Sequence, residues 1–288
     1  MRHPALPALA LLGNALVWGL SWIGFKALNQ QGLHPLWTTV LVNACALAAL
    51  LLWRPGSLRG FGRHPQLLAL AAVAGATNVG FNWAVTIGDV VRVVLLFYLM
   101  PLWSIGLAWL LLGERPTRGA LLRLLLALAG VALVLWRPGL GLPLPADMAD
   151  GLALLAGFCF ALNNVLLRRW RDTPDEARVL AMFGGVLVIA AGLAVALRVS
   201  WSMPSAVSAW LPWAAGLALA FLGGNLALQY STARLPAHAA SLIMLSEVLF
   251  ASLSAVLLGA AAPSARTWAG GLLIVLAALL AVRPRRAG

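Results

Sequence analysis

Charge is scarce in this sequence: only 10% of its 288 residues are Asp, Glu, Lys or Arg, about half the share of an ordinary soluble domain. Set beside 62% hydrophobic residues, that scarcity excludes a water-soluble globule. Acids are rarer still, 8 against 20 bases, for a formal net charge of +12. In a polar chain the excess would suggest nucleic acid. Here the arginines fall between apolar runs, so the excess reads as membrane orientation, with no nucleic-acid partner. Cysteine is nearly absent. Cys45 and Cys159 lie inside apolar runs with no His or second Cys at ligand spacing, which excludes a disulfide framework and a metal site and leaves core packing. The 4 histidines, His3, His34, His64 and His238, are scattered over different helix ends. No glycine-rich phosphate loop and no nucleophile paired with a base is present, so no cofactor is expected and nucleotide-driven chemistry by this chain alone is excluded.

What is present is long apolar stretches. A bilayer core of about 30 Å is crossed by about 20 apolar residues in a helix, because unpaired backbone groups are not tolerated in hydrocarbon. Ten runs qualify, at 5–26, 34–53, 66–87, 90–112, 118–136, 151–168, 177–197, 210–230, 236–258 and 266–282. Met1-Arg2-His3 before the first run mimics a signal peptide, but Asn14, Trp18, Ser21 and Trp22 have no use in a cleaved segment, so the run is expected to be retained. With ten crossings both termini share a side. That side holds 14 basic residues, in groups at Arg2, Arg54 to Arg63, Arg115 and Arg118, Arg168 to Arg178, Arg234 and Arg283 to Arg286. The other holds 5, Lys26, Arg92, Arg137, Arg198 and Arg266, while Arg123 lies within the fifth run. The positive-inside rule then places both termini in the cytoplasm, as for a multi-pass protein of a bacterial inner membrane.

The chain also matches itself at an offset near 146. Leu111-Leu112-Gly113 corresponds to Leu257-Leu258-Gly259, and Leu99-Met100-Pro101 to Leu245-Ser246-Glu247. Asn78-x3-Asn82-Trp83 corresponds to Asn225-x3-Gln229-Tyr230, and Trp18-x2-Ser21-Trp22-x3-Lys26 to Phe160-x2-Asn163-Asn164-x3-Arg168. The expected organisation is a first five-helix repeat over 1–137, a periplasmic connection over 138–150 and a second five-helix repeat over 151–288. Five is odd, so the second repeat starts from the opposite side of the membrane. The predicted fold is therefore all-α and membrane-embedded: ten transmembrane helices as two inverted repeats, a plan typical of secondary transporters with one site between the halves.

The segment LVWGLSW from Leu16, the block from Leu99 to Leu135 containing Pro101 and Gly113-Glu114, and its diverged copy LSEVLFASLSAVLLG from Leu245 resemble the EamA type of the drug/metabolite transporter superfamily. The second copy departs from the pattern, with Glu247 where the repeat gives proline and Ala260 where it gives glutamate. The resemblance implies a carrier for small metabolites, commonly amino acids or drug-like solutes, with a cavity lined by helices 1, 3, 4, 6, 8 and 9. The expectation is a secondary-active exporter of amino acids working by alternating access. The alternatives are export of nucleosides or cationic drug-like solutes, a channel, and a membrane-embedded lipid-modifying enzyme, the last disfavoured by the scattered histidines. Expected partners are a small-molecule substrate, membrane lipid and protons as a coupling ion, with oligomeric state left open.

Glu247 is the sharpest candidate, an acid within a hydrophobic run, 11 residues from both Pro236 and Leu258 and so about 16 Å from each end of a helix. A carboxylate at that depth costs at least about 2.5 kcal/mol. It reads as a proton-coupling acid, a counter-ion for a substrate amino group, or a protonated structural acid bonded to a neighbouring helix. Asn78 with Asn82, and Asn225 with Gln229, place amides one turn apart on repeat-related helices, either lining a polar pathway or fastening the bundle at about 0.6 kcal/mol per pair. Trp18, Ser21, Trp22 and Asn163 complete the predicted substrate pathway, with lipid anchoring the alternative for the tryptophans. Asp89 and Arg92, spaced i, i+3, suggest a paired gate, with His238 at the repeat position of Arg92.

Overall fold

The computed structural model describes residues 5–53, 61–113, 118–136, 145–170, 172–201, 206–232, 234–235, 243–244 and 246–282. These residues form helices and no strand. In chain order the helices are α1 (Ala5–Gln30), α2 (Pro35–Trp53), α3 (Leu67–Ile87), α4 (Val90–Phe97), α5 (Met100–Leu112), α6 (Arg118–Leu135), α7 (Met148–Arg169), α8 (Asp175–Ala196), α9 (Val207–Thr232), α10 (Ser246–Leu257) and α11 (Ala265–Val282).

All ten apolar runs carry helix, but among the described residues seven segments are long and apolar enough to cross a membrane: Leu6–Gln30, Pro35–Leu52, Leu67–Ile87, Val90–Leu112, Met148–Arg169, Ala177–Ala196 and Val207–Leu228. The other three carry shorter apolar stretches, Leu124–Leu135, Ser246–Leu257 and Ala265–Ala277. Residues 236–242 of the ninth run, the Glu114 turn, the arginines of 283–288 and most of the 138–150 connection lie outside the described residues.

Two boundaries differ from the sequence reading for local reasons. α1 continues to Gln30 and stops where Gly32 takes a φ of 94°, a conformation glycine adopts without strain. α7 opens at Met148 because the Asp147 side chain accepts from the Asp150 backbone N–H, satisfying one of the donors every helix start leaves unpaired. The fourth run is broken rather than continuous: α4 ends at Phe97 and α5 begins at Met100, with Tyr98 and Leu99 between them. Pro101 has no N–H to return to the Phe97 carbonyl. That carbonyl instead faces Gly157 of α7, so closely that a Cβ there would stand 2.6 Å from the oxygen.

The closest packing joins helices distant in sequence. α1 lies against α9 and α10, α3 against α7 and α8, α2 against α8, α4 and α5 against α7, and α6 against α11. In lipid, burial from water does not drive such contacts, so close backbone approach has to supply them. The α6–α11 crossing is an instance: a Cβ on Gly130 would meet the Gly270 carbonyl at 2.6 Å, and one on Gly270 the Gly130 carbonyl at 2.5 Å. The largest buried cluster gathers Trp22, Phe81, Phe97, Tyr98 and Val248 from α1, α3, α4 and α10 with small residues of α7.

Helix directions follow from the ties at the two ends. The Lys26 ammonium of α1 donates to the carbonyl of Gly88 after α3, and Arg92 at the start of α4 meets Asp150 at the start of α7. At the opposite end Ser231 of α9 bonds the Pro7 carbonyl, and Arg169 of α7 the Leu111 carbonyl of α5. α1 therefore runs toward the Arg92 end, while α7 runs away from it.

Candidate functional site

Glu247 stands in the first turn of α10 and is buried. Its 11-residue distance from Pro236 falls on residues outside the description. Two segments of the chain's first half contact it. From α1, Gly19 packs so tightly on α10 that a Cβ would meet Phe250 Cβ at 2.7 Å and the Glu247 carbonyl oxygen at 2.9 Å. From the break after α4, the Tyr98 hydroxyl lies 3.2 Å from Glu247 Oε2 and 3.1 Å from the Met244 carbonyl. Glu247 is thus bonded across the interface rather than aimed into lipid.

The face of α1 that approaches α10 carries Trp22, buried, whose indole N–H donates to Ser254 Oγ at 3.1 Å. One turn further, the Lys26 ammonium stands 5.7 Å from the Trp22 ring centre, within cation–π range. Trp18 stacks at 4.6 Å on Phe221 of α9, and Ser21 donates to the Trp18 carbonyl. Both tryptophans thus serve contacts between helices; Trp22 is no interfacial anchor. Asn14, on the same stripe, is fully buried, and neither of its amide atoms has a partner among the described residues. Gly224 of α9 lies against its oxygen, since a Cβ there would be 3.2 Å from Asn14 Oδ1.

The amides separate. Asn82 is buried and donates to Thr39 Oγ1 of α2 at 3.3 Å, leaving its oxygen without a partner among the described residues. Thr86 bonds the Asn82 carbonyl and Asn43 the Thr39 carbonyl, so this is a polar seam between α2 and α3. Asn78 and Asn225 are half-buried, and each donates to its own helix, at Ala74 and Phe221. Asn163 of α7 is buried with its oxygen unpartnered among the described residues. Gln229 lies on α9, but its side chain is outside the described set, as is His238.

The expected Asp89–Arg92 side-chain pair is corrected. Asp89 accepts from the Arg92 backbone N–H as the cap of α4, which turns its carboxylate to the helix start. The Arg92 guanidinium instead makes a two-point pair with Asp150 of α7, at 2.6 and 2.8 Å, and also bonds the Val134 carbonyl at the end of α6. The planar guanidinium matches a carboxylate at two points, which a single-point contact to Asp89 would not use. Asp150 also accepts from the Ala146 backbone N–H.

Sequence reasoning missed Tyr98, Asp150 and Gly19. Tyr98 gave a signal, being one of 2 tyrosines in the chain and three residues before Pro101. Asp150 was absorbed into a connection that in fact opens a helix. Among the described residues no three His, Cys, Asp or Glu gather at metal-binding distance.

Comparison with known proteins follows the same division of the chain. The profile of the EamA-like transporter family matches residues 5–136 and 147–283. A Pseudomonas aeruginosa protein described as the uncharacterized transporter PA0485 is 32% identical over 131 residues, a match covering 43% of this chain and 44% of that protein, so the chain spans under half the length of this curated relative. A solved crystal structure covered to 96%, as is this chain, superposes with a TM-score of 0.59 at 22% identity, a likeness of fold alone.

Proposed function

The chain belongs to the EamA-like transporter family, and from that premise we propose that it is a secondary-active exporter of amino acids working by alternating access. Membership points to a multi-pass membrane transporter of small solutes, in contact with lipid, rather than to an enzyme. The finer reading takes the ten runs as ten crossings in two inverted halves, 1–137 and 151–288 joined by 138–150, with both termini on the cytoplasmic face of a bacterial inner membrane.

The packing supports an inverted repeat. If run n of the first half corresponds to run n + 5 of the second, the α1–α9 contact should recur as α7–α3, and it does. The α1–α10 contact should recur between α7 and the fourth run, and it does: Gly157 meets the Phe97 carbonyl about one turn earlier in both elements than the repeat positions of Gly19 and Glu247. The α2–α8, α4–α10 and α6–α11 contacts map onto themselves.

Glu247 carries the reading: a buried residue whose carboxyl is bonded by Tyr98 and whose backbone is packed by Gly19, both from the other half of the chain. A charge that is costly in that place is useful if protonation or a substrate amino group changes it during the cycle. Trp18, Ser21, Trp22, Asn78, Asn82, Asn163, Asn225 and Gln229 are proposed to line or brace the pathway around it. The Arg92–Asp150 pair joins the two halves and is proposed as the gate at its end, with His238 its repeat counterpart. Aromatic Trp22, Phe97 and Tyr98 in one cluster with the α10 wall also suit a cationic solute, whose charge they would face.

Uptake by proteoliposomes of labelled amino acids, nucleosides and a cationic dye, with and without a pH gradient, tests the proposal. Saturable amino-acid accumulation driven by the gradient is expected. Dye accumulation alone would move the substrate to the cationic class, and current that rises linearly with voltage without saturable exchange would make the protein a channel.

A further inference from the structure

Tyr98 faces two acceptors with one proton. Its hydroxyl is 3.1 Å from the Met244 carbonyl and 3.2 Å from Glu247 Oε2, and a phenol has a single O–H to donate and lone pairs to accept with. An ionised carboxylate only accepts, so beside it Tyr98 has to give its proton to Glu247. A protonated carboxyl has a proton of its own to give, and can donate to the Tyr98 oxygen, releasing the phenolic proton to the Met244 carbonyl. The phenol neither gains nor loses a proton in the exchange; the proton that changes hands with water is that of Glu247.

We propose that Tyr98 is a positioning residue that senses the charge of Glu247 and transmits it to the break between α4 and α5. This deepens the reading of Glu247 as a group that changes charge, and rests on it. Two observations place Tyr98 where such a signal matters. It occupies the interruption in the fourth run, between Phe97 and Met100, where the helix hydrogen-bond ladder is not continuous. Its bonds cross from the first half of the chain to the second, with the ring buried beside Phe97 at 6.0 Å.

The other charged groups on the helices packed against α10 are engaged elsewhere. On α1, Lys26 bonds the Gly88 carbonyl. On α4, Arg92 bonds Asp150 and the Val134 carbonyl, and Asp89 caps the helix. α10 carries no second charged residue. Among the described residues, Tyr98 is the ionisable side chain hydrogen-bonded to Glu247.

The test compares wild-type protein, Tyr98→Phe, Glu247→Gln and the double variant by infrared difference spectroscopy across pH. The readout is the carboxyl C=O band that Glu247→Gln abolishes, which needs no knowledge of the substrate. Tyr98→Phe keeps the ring and removes only the hydroxyl; a melting curve like that of the wild type verifies the fold. Losing the donor to the ionised form is expected to move the midpoint of the Glu247 band about one pH unit to the alkaline side, a tenfold change in proton concentration, and to shift the frequency of the protonated band. An unchanged midpoint and frequency in Tyr98→Phe, with the band still titrating, would overturn the role of Tyr98 and leave Glu247 as proposed. A Glu247 band that never titrates would overturn both.

Discussion

Asn14 is the residue whose surroundings satisfy it least. Its amide is fully buried against α9 with both polar atoms unpartnered among the described residues, and each such group forgoes about 1–3 kcal/mol of hydrogen bonding. Asn14→Leu, close in shape and without polar atoms, is therefore expected to raise the melting temperature in detergent; under the proposed alternating access, slower transport in the same variant is expected if the amide finds its partner in another state of the cycle. Higher stability with unchanged transport would make Asn14 a simple packing defect. Glu247 was legible in the sequence because an acid inside an apolar run violates the cost of burying charge. Tyr98 was not, since a tyrosine among valines and leucines breaks no rule of composition, and its meaning lies in a partner 149 positions away. The amides were half legible: their spacing put them on one helix face, but whether Asn82 met solute or Thr39 depended on how α2 packs on α3.

For the helices, the informative features are backbone approaches. Gly19→Val would put side-chain atoms where α10 has backbone, 2.9 Å from a carbonyl oxygen, so α1 and α10 must separate. We expect loss of transport with reduced folded yield, read by gel filtration, and a smaller effect at Gly13, which has open space. The Arg92–Asp150 pair ties α4 to α7 and is largely buried; breaking one partner of such a pair costs about 3–5 kcal/mol where the other charge is left uncompensated. Asp150→Asn should slow exchange more than Asp89→Asn, and the charge-exchanged double variant Arg92→Asp with Asp150→Arg should recover part of the loss. Equal effects of the two single variants would return the gate to Asp89. The sequence showed where helices lie because apolar length and Arg-Pro-Gly turns mark them locally. The break at Tyr98 and Leu99 escaped because Pro101 alone does not say whether a helix kinks, stops or continues.

At the scale of the molecule, the proposed topology makes its own prediction: a reporter fused after Gly288 should be active as a cytoplasmic fusion and inactive as a periplasmic one, given 14 basic residues on the terminal side. Family and helical class were legible because they rest on composition and on blocks such as the one from Leu99 to Leu135. The Tyr98–Glu247 contact was not, because it joins residues 149 positions apart. The most direct test of the central claim, that Glu247 couples transport by changing charge between the halves, is a comparison of wild type and Glu247→Gln in vesicles that measures amino-acid counterflow at equal pH and accumulation against a pH gradient. The account predicts that Glu247→Gln retains counterflow and loses gradient-driven accumulation, and equal accumulation, affinity and pH profile in the two proteins would contradict it.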